Sequence, residues 1–150
     1  MKFTILQDKL LAGLQSLISV VPTKSTFPVL ANVLIEVHKD KLKLAATDLE
    51  IAAVTELDAP GALAGAITVP AKQLFEIVKQ LPHSPVEVAV EENKISIKCD
   101  KSKFSLIGIA KDEFPKIPEI KKEKSFKLPA ATFQAAVKKT LFAVSNDNSR

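Results

Sequence analysis

The chain has one cysteine, no tyrosine, no tryptophan, four glycines and two histidines among its 150 residues. Each shortage excludes something. A single thiol, Cys99, permits no intrachain disulfide, and such sparing use suits a reducing cytoplasm. Phenylalanine supplies all eight aromatics, so there is no dense aromatic platform on which bases could stack. Four glycines form no Gly-rich phosphate loop. His38, His83 and Cys99 lack metal-ligand spacing, so neither a metal nor another cofactor is expected. Both histidines are expected to be exposed, and Cys99 to be an inert, packed thiol. Asp48 and Glu50 would share a face of a strand, but nothing else supports a paired-carboxylate site. Asp48 is better placed to cap a turn. The longest uncharged run near the start, Leu10 to Thr23, is amphipathic and too short to cross a bilayer. Neither an enzyme nor a membrane partner is expected.

What is present is a balanced composition, with 47% hydrophobic and 25% charged residues. The length suits one domain with a real core, or one domain and a piece of another. The net charge is +4. Residues 1–124 are nearly neutral, and the excess sits mostly in residues 125–150. A blanket basic surface is therefore absent, and any attraction for a polyanion must be local.

A repeat organises the chain. Phe3–Leu10, Ile67–Leu74 and Phe126–Phe133 share one pattern, a short alternating strand running into an amphipathic helix. The repeating unit is about 60 residues, and two units make a domain. In the first helix Leu10, Leu11, Leu14, Leu17, Ile18 and Val21 fall on one face. Leu74, Phe75, Ile77, Val78 and Leu81 do so in the second, and Phe133, Val137, Leu141 and Val144 in the third. Pro70 and Pro129 sit where a first turn tolerates proline. Pro22 and Pro82 are expected to stop the first two helices.

Between the helices the period becomes two. Strands are expected at Val33–Val37, Leu42–Ala46 and Leu49–Leu57, then at Val86–Val90, Ile95–Cys99 and Phe104–Ile109. Short strands with tight turns imply antiparallel sheet, and the class is α+β. Lys111 to Lys124 reads as a connector. Residues 1–124 are thus expected to be one domain. Residues 125–150 are expected to begin a second, cut short before its strands.

Several segments carry a family resemblance: Met1-Lys-Phe-Thr4, Thr26-Phe-Pro-Val-Leu-Ala-Asn-Val-Leu34, Ala46-Thr-Asp-Leu-Glu50, Thr68-Val-Pro-Ala-Lys72, Lys103-Phe-Ser-Leu106 and Glu113-Phe-Pro115. In order and spacing, over essentially the whole chain, they resemble the bacterial sliding clamps, the DNA polymerase III beta subunit family. The resemblance implies a DNA-clamp fold of repeated helix-plus-antiparallel-strand units, with helices on the inner face of a ring and sheets outside. It implies a non-catalytic processivity factor of the replicative DNA polymerase. The implied partners are double-stranded DNA, the DNA polymerase III catalytic subunit, a clamp loader and a second copy, joined from domain one to domain three.

The resemblance also implies roles for residues. Lys24 and Lys72 fall where family members have DNA-contacting cations, and Lys79 and Lys9 share the same helix faces. Asn146 and Asn148 fall in a second-domain loop that approaches DNA, although Asp147 between them departs from the usual pattern. Arg150 matches the edge of a partner-peptide groove. The subunit interface would include Gln73, Ile77, Leu81, Phe104 and Leu106, with Gln73 at a position often basic in the family. Lysines on a mobile partner's face act as flexible point charges, and phosphate attraction without base contacts gives binding that can slide.

Overall fold

The computed structural model describes residues 1–23, 25–118 and 126–144. The chain divides into two compact units, Met1–Ile117 and Pro118–Arg150.

The first unit runs β1 (Lys2–Leu6), α1 (Gln7–Leu17), β2 (Asn32–His38), β3 (Lys41–Thr47), β4 (Ala52–Asp58), β5 (Gly65–Pro70), α2 (Ala71–Gln80), β6 (Pro85–Glu91), β7 (Lys94–Cys99) and β8 (Ser102–Ile107). The strands form two four-stranded antiparallel sheets, ordered β1-β6-β7-β8 and β4-β3-β2-β5. The two repeats exchange their first strands. β1 pairs with β6 of the second repeat, with Phe3 opposite Val88. β5 pairs with β2 of the first, with Ile35 opposite Ile67. Neither repeat can complete a sheet alone, which is why two make one domain.

Alternation explains the core. Phe3 and Ile5, Val33, Ile35 and Val37, Leu42 and Leu44, and Ile95 and Ile97 are buried, each from one face of its strand. Against them lie Leu10, Leu14 and Leu17 of α1 and Leu74 and Val78 of α2. Gly13 lets α1 approach the sheet closely, since a Cβ there would lie 2.9 Å from Leu57 Cδ1 and 3.2 Å from Leu44 Cδ1. The first turn of α1 is tied to the last turn of α2, where Gln7 Nε2 donates to the Val78 carbonyl at 2.8 Å.

β8 lies two residues earlier than expected, and three places differ more from the sequence expectation. α1 ends at Leu17, well before Pro22, and Val20 N–H closes a tight turn onto the Leu17 carbonyl. The β-branched run that follows disfavours helix, yet Val21 is still buried. β4 starts at Ala52 rather than Leu49 because Asp48 fastens a turn. Its Oδ1 accepts N–H bonds from Glu50 at 3.0 Å and Ile51 at 2.7 Å, with Leu49 at φ 83°. Asp48 thus caps the turn as its residue type suggests, and the Ile51 N–H holds its carboxyl below the usual carboxylate range.

The third difference concerns the connector. Residues 108–117 belong to the first unit and run across the outer face of the second sheet. Ile109 exchanges backbone bonds with Thr68, at 2.9 and 3.0 Å. Thr68 Oγ1 donates to the Ile109 carbonyl and accepts from Asn32 Nδ2, each at 3.0 Å. Asn32 and Thr68 are both buried. Phe114 is buried beside Leu34 and Ala45, which line the same cleft. Lys111 pairs with Glu36 at 3.3 Å.

In the second unit, α3 spans Ala130–Thr140 and a 3₁₀ turn spans Leu141–Ala143. Phe126–Pro129, expected as a strand, is irregular chain here. The apolar stripe of α3, Phe133, Val137 and Leu141, is exposed.

Candidate nucleic-acid interface

The helix pair turns its polar side to solvent. On α1, Asp8, Lys9, Ala12, Gln15 and Ser16 are exposed, and on α2 Lys72, Gln73, Glu76, Lys79 and Gln80. The 3.6-residue period forces this split, because the opposite stripes are consumed by the core. Lys9 stands in the first turn of α1 and so shares an end of the pair with Lys79. Lys72 opens α2, about 10 Å along the helix from Lys79 at 1.5 Å per residue.

The lysines are not equivalent. Lys79 Nζ lies 4.0 Å from Glu76 Oε1 and 5.9 Å from the Phe75 ring centroid. Lys9 adds a weak pull on the carboxyl of Asp58, whose pKa is lowered mainly by its hydrogen bond from Lys41. Lys72 has no carboxylate within ion-pair distance among the described residues. Lys24, Asn146, Asn148 and Arg150 lie outside the described residues.

The residues expected at a subunit interface fall into two places. Phe104 pairs opposite Ile97 and Leu106 opposite Ile95, so both face inward from β8, the open edge of its sheet. Leu106 is half-buried, while Phe104 keeps 40% of its surface exposed. Leu81 is buried at the end of α2. The next residue, Pro82, has its carbonyl 3.8 Å from Cys99 Sγ, two positions along β7 from the partner of Phe104. Leu81 and Phe104 therefore come to the same end of the first sheet. Ile77 is half-buried one turn earlier. Gln73 is exposed at the other end of α2, apart from this group.

Two clefts among the described residues lie elsewhere, on the outer face. The larger, about 930 Å³, presents four lysines and four carboxylates, among them the Lys111–Glu36 pair. Among the described residues no three His, Cys, Asp or Glu side chains group as metal ligands. Cys99 is buried, and burial pushes its thiol pKa up, away from a reactive thiolate. No helix among the described residues is long and apolar enough to cross a membrane.

Sequence reasoning missed the buried Asn32–Thr68–Ile109 link and the inward Gln7. A lone Asn or Gln beside apolar residues gives no sign of whether its partner is water or a distant strand.

Residues 1–118 match the family described as DNA polymerase III beta subunit, N-terminal domain. The chain is 34% identical to the beta sliding clamp of Chlamydia pneumoniae, over all of this chain and 41% of that relative. It is 33% identical to the beta sliding clamp of Vibrio cholerae, over all of this chain and 42% of that relative. The crystal structure of the DNA polymerase III subunit beta from Pseudomonas aeruginosa superposes with a TM-score of 0.93 at 34% identity, covering all of this chain and 41% of that one. A griselimycin-bound sliding clamp from Bartonella birtlesii gives 0.94 at 32% identity, with the same coverage. The chain thus spans about 41% of the length of these relatives. With the two exchanged-strand repeats, the helix pair and the match over residues 1–118, this chain belongs to the DNA polymerase III beta subunit family.

Proposed function

We propose that this chain is part of a sliding clamp, a non-catalytic processivity factor that encircles duplex DNA and tethers the replicative polymerase. The observation that carries the reading is the sparse cationic face of the α1–α2 pair. Lys9, Lys72 and Lys79 stand among neutral Gln, Ser and Ala, opposed by Asp8 and Glu76. Such a face attracts phosphates without reading bases, and so few cations give little affinity. Retention then comes from a closed ring, a topological link that survives while every individual contact breaks and reforms.

On this reading the DNA contacts are Lys24, Lys72, Lys79 and Lys9, joined by Asn146 and Asn148 from the next domain. Residues 1–124 are the first domain and 125–150 the start of the second. The second copy docks on the β8 edge, with Phe104 and Leu106 packing beneath a continued sheet and Ile77 and Leu81 supporting them. Gln73 contributes at most a polar rim contact. Arg150 borders the groove for partner peptides of the polymerase catalytic subunit and the clamp loader. The protein acts in the cytoplasm.

The test loads the complete gene product onto nicked circular DNA with its loader, then linearises the circle. Loss of bound protein on cutting, at a salt concentration that leaves the circular complex intact, supports the clamp. Equal retention on both forms would replace it with ordinary affinity binding.

A further inference from the structure

The polar stripe of α2 reads Lys72, Glu76, Lys79, spaced four and three residues apart, so the glutamate lies one turn from each lysine. It does not serve both. Its Oε1 lies 4.0 Å from Lys79 Nζ, and the Phe75 ring, 5.9 Å from the same ammonium, holds that side chain along the helix. Lys72 has no such partner among the described residues. The pair is exposed and weak, and that matters here. It contributes little to the fold, yet it places a negative charge where a phosphate would approach Lys79.

We infer that Glu76 attenuates DNA attraction by competing with phosphate for Lys79, so that Lys79 is the weaker and Lys72 the stronger DNA contact of α2. This rests on the clamp reading and names a positioning residue within its DNA-facing surface. A ring must hold DNA loosely enough to move, and each phosphate neutralised adds about 0.9 to the slope of log affinity against log salt. Releasing Lys79 strengthens one contact per subunit.

The experiment measures equilibrium binding to a short linear duplex, where no topological link contributes, between 50 and 200 mM salt for the complete protein and for Glu76→Gln, Lys79→Gln, the double variant and Glu76→Asp. Glu76→Gln should steepen the slope by up to about 0.9 per subunit, so that affinity falls up to about threefold more across that range for each subunit. Lys79→Gln should leave the slope near wild type. The double variant should match Lys79→Gln, and Glu76→Asp should stay near wild type. An unchanged slope in Glu76→Gln overturns the inference. So does an equal rise in the Lys79→Gln background, which would mean that Glu76 acts by its charge alone. Cutting the circle separates the two ideas. Retention after linearisation would refute the clamp and leave the slope comparison on linear duplex intact, whereas wild type without any salt-dependent binding to linear duplex would overturn the inference and leave the clamp standing.

Discussion

Replacing Phe104 by Ala should weaken ring closure about a thousandfold. A phenylalanine side chain buries roughly 150–250 Å² when fully covered. Phe104 retains 40% exposure within its own unit, which leaves about 80 Å² for a second copy to cover. At about 25 cal/mol per Å² that is about 2 kcal/mol for each contact. A two-subunit ring has two such contacts, so the loss is about 4 kcal/mol, or about three decades in the dimer constant. Sedimentation equilibrium of the complete protein measures the constant directly, and mixing two labelled populations gives the exchange rate. Phe104→Leu keeps most of the apolar area and should cost under about tenfold, since volume-conserving swaps are tolerated best. Ile107→Ser is the opposing control. Ile107 is 71% exposed but lies on the other face of β8, so it tests whether any exposed apolar residue would serve. The chain has no tryptophan or tyrosine, so folding of each variant is followed by far-UV circular dichroism. A folded Phe104→Ala protein that dimerises like wild type would refute the assignment of β8 as the contact edge.

Gly108→Ala should destabilise the first unit by about 2–4 kcal/mol, combining overpacking with strained hydrogen bonds. Its Cβ would lie 2.5 Å from the Thr68 carbonyl oxygen and 2.6 Å from Ile67 Cδ1, and backbone cannot yield as a side-chain tip can. Urea unfolding checks it, and Gly61→Ala, with open space but φ +72°, should cost only about 1 kcal/mol. Thr68→Val keeps the shape but leaves Asn32 Nδ2 buried without its acceptor, costing about 1–3 kcal/mol in the same assay. Asp48→Asn should flatten the acid limb of the stability profile. The folded pKa of Asp48 is depressed, so its contribution is present above the unfolded value of 3.8 and is lost as pH falls through the folded one. Thermal melts from pH 5 down to pH 2 should show wild type losing more than the variant, and parallel curves would count against the cap.

Much of the fold was legible because period and punctuation agree. Leu10, Leu14 and Leu17 mark a helix, Leu42 and Leu44 mark a strand, and both groups are buried where the pattern places them. The repeat identified two units per domain. The exchange of β1 and β5 was not legible, since alternation gives a strand its inner face but not its neighbour. The start of β4 was missed because Leu49 is an apolar residue held at positive φ, where glycine or asparagine is the usual signal. Where Phe114 docks was not legible, since a connector's sequence does not say which strands it crosses. At the candidate surface, sequence placed the lysines on the right helix faces. The resemblance set Lys72 above Lys79, but periodicity alone does not, because the physical distinction rests on which lysine the single glutamate engages.

The strand exchange has a consequence for the edges of the two sheets. Each sheet receives one strand from the other repeat, so each ends at the last strand of its own repeat, β4 in one and β8 in the other. The remaining edges are partly closed, β1 by a bridge from Lys2 to Leu63 and β5 by the bridge from Thr68 to Ile109. The long open edges, seven residues in β4 and six in β8, would normally invite indiscriminate pairing. Their charges differ in sign, however. β4 carries Glu56 and Asp58, while β8 carries Lys103 and no acid. Pairing β8 with another β8 sets lysine near lysine, and β4 with β4 sets acids together, whereas β4 against β8 sets opposite charges side by side. Like charges thus oppose β8–β8 pairing between two copies, in keeping with the proposed contact from the β8 edge of domain one to a different edge, on domain three.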